Sequence, residues 1–440
     1  MLNFFGTDGI RGHVGSGIFI EDKLIKTGAA IGRWLIDTYG PYPKIFITTD
    51  TRISADPIKD SLKKGFLQHP LIISDTGILP TPAMAHLLQA YPDFHCALII
   101  SASHNPYQDN GIKIIKQTGK LTLDDELSIS RYMQEAFIIN TIPSMSLVGT
   151  DILNTESHQK YIECTIQHIP HLSLTGKKIV LDTANGATFR AASKIFAYFD
   201  AEIIHIHNEP NGYNINQGCG ALHLESLIHT VISHQADIGF AFDGDGDRVI
   251  AVNHRGIVKD GDDILALLIK HPSYHDTPNI VGTIMSNEGL AQFLQHHQKT
   301  LLRTAVGDKY IAEKLMLDSL MLGGEPSGHI ILNDIINTGD GILVALKILE
   351  VLCHTNNWDM HTFDKYPQAV ATIPIITKHN LQEKPFSTII SQAQAELSTG
   401  RILVRYSGTE NVLRIMVEAQ NRSCATTFCS RLVQQLSPSL

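Results

Sequence analysis

A chain of 440 residues is long enough for about three domains, and its 43% of apolar residues can supply a core for each. The formal net charge of −9 argues against a nucleic-acid partner, and no cluster of lysine and arginine contradicts this. No apolar run reaches the roughly 18 residues of a membrane helix, and the start reads unlike a signal peptide. Because the six cysteines form no C-x-x-C pair, we expect a cytoplasmic protein with reduced thiols and no membrane partner.

Through residue 367, short β-branched runs alternate with amphipathic stretches of helical length. This alternation predicts parallel sheets with helices on both faces. The predicted strands lie at 44–48, 71–73, 96–100, 178–182, 202–206, 237–242, 279–282, 301–304 and 330–332. The predicted helices lie at 21–37, 57–67, 82–90, 187–198, 223–233, 262–269, 288–296, 309–317 and 340–351.

The pattern changes beyond Pro367, where we predict an irregular stretch at 371–380 and a helix at about 383–397. Two strands flanking SGTEN and a last helix ending at Leu436 follow, so the tail is of the α+β type. We therefore expect three α/β domains and a smaller C-terminal domain. The expected boundaries give domains at 1–150, 151–253, 254–367 and 368–440.

Two polar loops follow predicted strands, SASHNP after residues 96–100 and FDGDGDR after residues 237–241. Ligands of open α/β sheets bind beyond the carboxyl ends of the strands. Because the two loops belong to different predicted domains, we expect a cleft between domains.

The second of these loops places three carboxylates, Asp243, Asp245 and Asp247, within five residues. They repel one another unless a hard cation lies between them, and oxygen ligands suit Mg²⁺ or Ca²⁺ better than zinc. A calcium EF-hand would need glycine and glutamate at its sixth and twelfth positions, where this chain has Arg248 and His254. An Asp-Gly turn without a ligand is the plainer alternative, but we predict a magnesium site.

Ser103 follows a predicted buried strand in SASHNPYQDNGIK, where Asn105-Pro106 fixes a turn. No G-x-S-x-G sequence surrounds it, which argues against an acyl-transfer hydrolase. A phosphoserine carries about −1.5 to −2 charges, and a metal held by three carboxylates would accept one of its oxygens as a ligand. Lys113 follows in the same unit as a candidate acid/base or charge partner. The alternative is an Asn-Pro turn with incidental serines.

A candidate phosphate loop lies in the tail, in RYSGTENVLR. Guanidinium and hydroxyl groups suit a phosphate, as do main-chain N–H groups freed by a glycine. A plain Ser-Gly hairpin is the alternative. The residues that supply these groups are Arg405, Ser407, Gly408, Thr409 and Arg414.

Three shorter motifs also carry polar side chains. GTDGIRG exposes Arg11 on a tight loop, and VGDKY puts Lys309 at a predicted helix start, where a capped helix is the alternative. GGEPSGH offers groups whose spacing suits sugar hydroxyls, although a satisfied turn is equally plausible; these are Glu325, Ser327 and His329.

Taken in order, FGTDGIRG, SASHNP, DGDGDR, GGEPSGH and RYSGTE closely resemble the motifs of the α-D-phosphohexomutase superfamily. The resemblance covers essentially the whole chain, and DTRIS, DTANGAT and EPNGYNIN look most like its bacterial phosphoglucosamine mutase branch. It implies three α/β domains with mixed sheets and a smaller α+β C-terminal domain around a central cleft. Three positions depart from the branch. Tyr406 stands where lysine is usual, Asn411 replaces a proline, and Pro326 occupies a variable place in the sugar loop.

The resemblance also implies a role for each motif. One Mg²⁺ per chain would be held by Ser103, as the phosphoserine, with Asp243, Asp245 and Asp247. Further groups around the transferring phosphate would be Arg11, His104, Lys113 and Arg248. The substrate would be bound by Lys309, Glu325, Ser327, His329, Arg405, Ser407, Gly408, Thr409 and Arg414.

The activity implied is the interconversion of glucosamine 6-phosphate and glucosamine 1-phosphate through a 1,6-bisphosphate, with glucose or glucosamine 1,6-bisphosphate as activator. Such an enzyme would supply the amino-sugar (UDP-N-acetylglucosamine) pathway. Its partners would be small sugar phosphates, with a homodimer as one expectation for its assembly. The alternatives are a phosphomannomutase/phosphoglucomutase, an aspartyl-phosphate phosphatase, and a sugar-phosphate sensor without turnover.

Overall fold

The structure is a computed structural model that describes residues 4–6, 8–138, 148–407 and 411–439. Its first sheet has the strand order β1-β5-β4-β2-β3-β7, with β6 paired to β5. These strands are β1 (Ile10–His13), β2 (Lys44–Thr49), β3 (Ile72–Ile78), β4 (Cys96–Ile100), β5 (Asp109–Lys116), β6 (Gly119–Lys120) and β7 (Thr150–Leu153). The helices of this part are α1 (Glu21–Tyr39), α2 (Ala55–Phe66), α3 (Thr81–Ala90) and α4 (Leu123–Ile138).

Both faces of the first sheet are covered, because alternate residues of a strand point to opposite faces. On β2, Ile45 and Ile47 pack in one buried cluster with residues of α1, α2 and α4. Phe46 between them belongs to a second cluster with Met84 and Leu87 of α3. The sheet therefore has helices on both sides, as the sequence pattern predicted.

The second sheet has the order β12-β11-β10-β8-β9 and the third the order β14-β13-β15-β16. The strands of the second are β8 (Lys178–Asp182), β9 (Glu202–Ile206), β10 (Ile238–Phe242), β11 (Val249–Asn253) and β12 (Val258–Lys259). Those of the third are β13 (Asn279–Thr283), β14 (Thr300–Thr304), β15 (Leu322–Gly324) and β16 (Ile330–Leu332). The helices that follow along this stretch are α5 (Ser157–Ile166), α6 (Ala191–Tyr198), α7 (Glu225–Ser233), α8 (Gly261–Leu268), α9 (Glu288–His296), α10 (Asp308–Leu317) and α11 (Gly341–Thr355).

All three of these sheets are mixed, as the resemblance implied, so the parallel pairing that the alternation of strands and helices predicts holds for only part of each sheet. β5 runs antiparallel to β4, β11 to β10, and β16 to β15. In each case the polar loop of interest joins the two antiparallel strands. A short loop can make that connection, whereas a parallel pair needs a long crossover.

The tail forms a three-stranded antiparallel sheet of order β17-β19-β18. Its elements are β17 (Gln368–Pro374), α12 (Phe386–Glu396), β18 (Gly400–Tyr406), β19 (Val412–Ala419) and α13 (Arg422–Leu436). The predicted irregular stretch at 371–380 is wrong over its first four residues, which belong to β17. This strand lies at the edge of the sheet, where a proline such as Pro374 is tolerated.

The buried apolar clusters show how these parts are joined. One cluster is continuous from Leu87 of α3 through Phe196 of α6 to Leu346 of α11. The tail has a separate cluster that includes Leu413 and Leu432. The first three sheets therefore share a core, whereas the tail packs around its own. Among the described residues, no helix is both long and apolar enough to cross a membrane.

Helix caps fix the loops that face the middle of the molecule. Asp340 caps α11 by accepting a hydrogen bond from the Leu343 N–H at 3.0 Å. The N–H of Gly341 in the same turn donates to the Gly246 carbonyl at 3.0 Å. The start of α11 in the third part is thus tied to the aspartate loop in the second.

Candidate active site

The aspartate loop joins β10 to β11 and turns sharply at two glycines. Gly246 has a φ of +75°, which favours glycine. A Cβ on Gly244 would lie 2.6 Å from the main-chain oxygen of Ser103, so only glycine allows this close approach. The turn brings together the carboxylates of Asp243, Asp245 and Asp247, whose oxygens lie within 4.8 Å of one another.

These carboxylates form a site that fits a hard divalent cation. All three side chains are at least 96% buried. The Oδ1 atoms of Asp245 and Asp247 accept no hydrogen bond from the residues that the structure describes. Buried charges of one sign need a cation or a metal, and a donor set made only of oxygen suits Mg²⁺. The chemistry of this trio therefore agrees with the predicted magnesium site.

Ser103 lies against this trio. Its Oγ donates a hydrogen bond to Oδ2 of Asp243 at 2.6 Å, and the residue is 1% exposed. Its φ of +51° lies in the left-handed region, which costs a non-glycine residue roughly 1–2 kcal/mol. Such a conformation persists only where the surroundings enforce it, and it is found most often at functional sites.

His104 lies next to the serine hydroxyl, with Nδ1 3.3 Å from Ser103 Oγ. Burial, together with the cations Arg248 and Arg11, lowers the pKa of His104 to about 4. The imidazole is therefore neutral at physiological pH and can accept a proton.

Lys113 projects from β5 into the carboxylates. Its Nζ lies 2.7 Å from Asp8 Oδ2, 2.8 Å from Asp245 Oδ2 and 3.3 Å from Asp247 Oδ2. Burial opposes its charge, but these carboxylates more than offset burial and raise the pKa of Lys113 well above its usual range. Of the two roles predicted for it, charge partner fits this environment better than acid/base.

Two arginines lie beside Ser103 and the aspartates. Arg11 on β1 pairs with Asp8, its Nη2 lying 2.8 Å from Oδ2. The main-chain N–H of Arg248 donates to Asp243 Oδ1 at 3.2 Å, and its Nε lies 3.9 Å from Asp247 Oδ1. Both arginines line the same cleft as Ser103.

The GGEPSGH motif forms the turn between β15 and β16. Glu325 accepts from the Gly307 N–H at 2.9 Å and from the Ser327 hydroxyl at 3.2 Å. His329 is buried, with Nδ1 3.6 Å from Asp247 Oδ1, and its Nε2 accepts from the Gly339 N–H at 3.2 Å. This turn is therefore coupled directly to the aspartate loop.

A cleft of about 370 Å³ connects these groups, and the first three sheets all contribute to its walls. The predicted residues that line it are Arg11, Ser103, His104, Asp247, Arg248, Glu325 and His329. Lys309 lines the adjoining pocket, where its Nζ pairs with Glu126 Oε1 at 2.7 Å. Arg405, Ser407 and Arg414 are not among the residues of the described ranges that line the cleft.

The tail residues form a separate basic patch on the antiparallel hairpin β18–β19. Arg405 stands directly opposite Arg414 across the strand pair. Like charges in this position are destabilising unless an anion joins them. The main-chain oxygen of Ser407 accepts a hydrogen bond from Lys378 Nζ at 3.4 Å, which adds a third cation. The predicted residues Gly408 and Thr409 lie outside the described residues.

Comparison with known proteins identifies the family. Models of the phosphoglucomutase/phosphomannomutase family match four successive parts of the chain. These are α/β/α domain I over residues 2–137, domain II over 159–256, domain III over 260–366 and the C-terminal domain over 365–435. The chain belongs to this family. This confirms the predicted superfamily and its fold of three α/β domains with a C-terminal domain.

Individual phosphohexomutases agree with this assignment. A phosphoglucosamine mutase of Coxiella burnetii is 39% identical over 427 residues, which is 95% of each chain. A solved phosphoglucomutase/phosphomannomutase family protein of Burkholderia thailandensis covers 99% of this chain and 98% of its own, with a TM-score of 0.81 and 20% identity. An N-acetylphosphoglucosamine mutase of Aspergillus fumigatus, in complex with GlcNAc-6P and magnesium, covers 99% and 95% with a TM-score of 0.67 and 14% identity. At these identities the two solved structures show the fold alone.

The site of this phosphohexomutase includes residues that the sequence reasoning did not single out. Thr81 donates to Asp245 Oδ2 at 2.6 Å, and Lys120 bridges Asp8 and Asp308. Asp8 lies within the quoted motif GTDGIRG, so its position was available as a signal. Thr81 and Lys120 lie in no motif, and only the folded chain brings them to the site.

Proposed function

We propose that this phosphohexomutase interconverts glucosamine 6-phosphate and glucosamine 1-phosphate as an intramolecular phosphotransferase of the isomerase class. The observation that carries the proposal is the hydroxyl of Ser103, held 2.6 Å from Asp243 at the edge of a buried trio of aspartates. The name of the Coxiella relative supports glucosamine as the sugar. The product would supply the amino-sugar (UDP-N-acetylglucosamine) pathway.

Phosphorylated Ser103 would transfer its phosphoryl group to O1 of glucosamine 6-phosphate. The Oγ–P bond breaks as the O1–P bond forms, and the proton of O1 passes to a base, for which neutral His104 is the candidate. The 1,6-bisphosphate then reorients in the cleft. The O6–P bond breaks as the Oγ–P bond of Ser103 forms again, and the proton held by the base passes to O6. Glucose or glucosamine 1,6-bisphosphate would recharge a dephosphorylated enzyme.

The three aspartates would hold Mg²⁺, which neutralises phosphoryl charge when bound. Catalysis otherwise depends on positioning and on fixed charges, as in other phosphoryl transfers. Glu325, Ser327 and His329 would bind sugar hydroxyls. The cations proposed around the transferring group are Arg11, Lys113, Arg248 and Lys309.

The tail would bind the phosphate that does not react, through Arg405, Ser407, Gly408, Thr409 and Arg414. Because either phosphate occupies this place in turn, the patch should recognise charge and not the sugar. The cleft is lined by the first three domains, and the tail has its own core. We therefore expect the tail to move toward the cleft during turnover, as lids do.

The domain limits at 150, 253 and 367 stay predictions, with one adjustment suggested by the sheets. β7 at Thr150–Leu153 pairs with β3 of the first sheet, which favours a first boundary a few residues later. A cytoplasmic location and a homodimer also stay predictions.

The test is ³¹P NMR of the purified protein with Mg²⁺, trace glucose 1,6-bisphosphate and glucosamine 6-phosphate, beside glucose and mannose 6-phosphates. We expect the 1-phosphate signal to grow fastest from glucosamine. Faster turnover of glucose or mannose would support a phosphomannomutase/phosphoglucomutase instead. If no sugar phosphate gives a 1-phosphate signal, once Ser103 is shown to carry phosphate, the result would support a sugar-phosphate sensor without turnover.

Ser103→Ala should abolish turnover, whereas Ser16→Ala, at an exposed turn, should not change it. Intact-mass measurement after incubation with glucose 1,6-bisphosphate should show one added phosphate that Ser103→Ala lacks. Full activity in Ser103→Ala with loss in Asp243→Asn would favour an aspartyl-phosphate phosphatase.

A further inference from the structure

The main chain of Ser103 is held from two sides by side chains that do not reach its hydroxyl. The residue has a φ of +51°, a conformation that serine seldom adopts without an external constraint. Its carbonyl oxygen accepts hydrogen bonds from Arg52 Nη2 at 3.0 Å and from Asn216 Nδ2 at 2.9 Å. The carbonyl of Asn105 accepts from the same two groups, at 2.8 Å and 3.0 Å.

Arg52 uses its whole guanidinium on this loop. Its side chain is fully buried, and Nη1 donates to the carbonyls of Asp109, at 3.0 Å, and Pro106. The two terminal nitrogens therefore bind four carbonyls between residues 103 and 109. Only a planar fork of fixed geometry can do this, and a lysine ammonium cannot reproduce it.

The remaining donor of Arg52 is held by Asp50. Nε of Arg52 donates to Asp50 Oδ2 at 2.8 Å, and the Ser101 hydroxyl donates to the same oxygen at 2.6 Å. Ser101 Oγ in turn accepts from the Ser103 N–H at 3.0 Å. Both the N–H and the carbonyl of Ser103 are thus fixed through one buried network.

Asn216 provides the second support, from a different part of the chain. It follows β9 in the second part of the chain, whereas Arg52 follows β2 in the first. Its φ of +57° is one that asparagine tolerates and glycine adopts freely. The loop of Ser103 is therefore fixed relative to both the first and the second part of the chain.

We propose that Arg52 and Asn216 are positioning residues that hold the Ser103 hydroxyl in line for phosphoryl transfer. This inference rests on the proposed function of Ser103. Neither side chain contacts Oγ, so its removal moves the nucleophile without removing a substrate contact. A displacement of about 1 Å can cost about 10²-fold in rate. We therefore expect kcat and the rate of Ser103 phosphorylation to fall, with KM nearly unchanged.

The experiment compares Arg52→Lys and Asn216→Gly with two matched controls. Arg33→Lys makes the same change at an exposed ion pair with Glu135. Asn356→Gly makes the same change at another left-handed position, with a φ of +53° at the end of α11. Each purified full-length chain is mixed with Mg²⁺ and glucose 1,6-bisphosphate, and phosphate on Ser103 is followed by quenched intact-mass measurement. Steady-state kcat and KM for glucosamine 6-phosphate are measured in parallel.

We expect phosphorylation and kcat to fall about 10²-fold in Arg52→Lys. Asn216→Gly loses one of the two donors to the Ser103 carbonyl and should fall about tenfold, which is the ratio of about one hydrogen bond. KM should stay within about threefold of the unmodified chain, since neither residue is among those that line the cleft. Both controls should match the unmodified chain.

Rates are expressed per folded molecule, because a purely structural role would lower the melting temperature and leave the rate of the folded fraction unchanged. That result overturns the inference. If Arg52→Lys does not fold, the rates of Asn216→Gly test the inference by themselves, since that substitution leaves no buried charge unpaired. Absence of phosphate on Ser103 in the unmodified chain would instead overturn the proposed function, and this inference with it.

Discussion

Replacing Lys113 with methionine removes an ammonium group that lies within 3.3 Å of three carboxylates, those of Asp8, Asp245 and Asp247. Methionine has a similar length and no charge, so packing along β5 should change little. The carboxylates then remain buried without this cation. The free energy of unfolding measured in EDTA should fall for this reason.

Removing one partner of a buried ion pair costs about 3–5 kcal/mol. Each kcal/mol shifts the melting temperature of a unit of 150–250 residues by about 2–4 °C, so we expect a decrease of roughly 6–20 °C in EDTA. Mg²⁺ at a hundred times its dissociation constant stabilises the folded state by about 2.7 kcal/mol. Because the Lys113 ammonium repels Mg²⁺, Lys113→Met should bind the ion more tightly and gain more from it.

The assay is scanning calorimetry in EDTA and through a Mg²⁺ titration, with kcat measured on the same samples. Lys116→Met is the control, since Lys116 lies on the same strand and pairs with Asp125. Mg²⁺ should restore the melting temperature of Lys113→Met, but its kcat should remain low because the charge partner is missing. Equal Mg²⁺ effects on Lys113→Met and the unmodified chain would show that the lysine and the metal do not share these carboxylates.

Two further predictions follow from groups outside the cleft. Burial raises the pKa of Asp262 to about 7. Between about pH 4 and 7 the folded chain therefore keeps a proton that the unfolded chain has released, and stability falls by up to about 1.4 kcal/mol per unit as pH rises. The free energy of unfolding, measured with urea across this range, should depend less steeply on pH in Asp262→Asn but not in the exposed Asp364→Asn. An unchanged pH dependence in Asp262→Asn contradicts the prediction. Lys378→Ala should raise KM about 3- to 10-fold with kcat unchanged, since it removes a cation that binds ground and transition states alike. Lys384→Ala is the control, and an equal KM in the two variants would exclude Lys378 from the phosphate patch.

Several strands and one helix could be predicted closely from the sequence. The predicted strands at 96–100, 178–182, 202–206 and 330–332 and the predicted helix at 288–296 have the observed bounds. Each strand centres on consecutive apolar residues and has polar residues at its ends or just beyond them, and the short length of the run separates it from a helix. The signal for these elements is local, so tertiary context does not alter it.

Strands and helices without that signal were missed. β5 (DNGIKIIK) follows a turn-rich segment and is absent from the predicted strands, although its pairing with β4 places Lys113 in the site. α4 has three acidic residues in its first turn, which is typical of a helix start, but it is absent from the predicted helices. β17 (QAVATIP) lacks the signal because an edge strand is half exposed and this one ends at a proline.

The same division between local and tertiary information applies to the site. Three aspartates within five residues predict a cation site on electrostatic grounds alone, and in the structure their oxygens lie within 4.8 Å of one another. Arg52 carries no comparable signal in the sequence. Its role depends on the carbonyls that accept its hydrogen bonds, and these lie more than fifty residues further along the chain. A sequence therefore shows which chemistry a site can perform, through the side chains that touch the reacting group. The residues that hold those side chains in place become visible only when the fold shows which main-chain atoms need support.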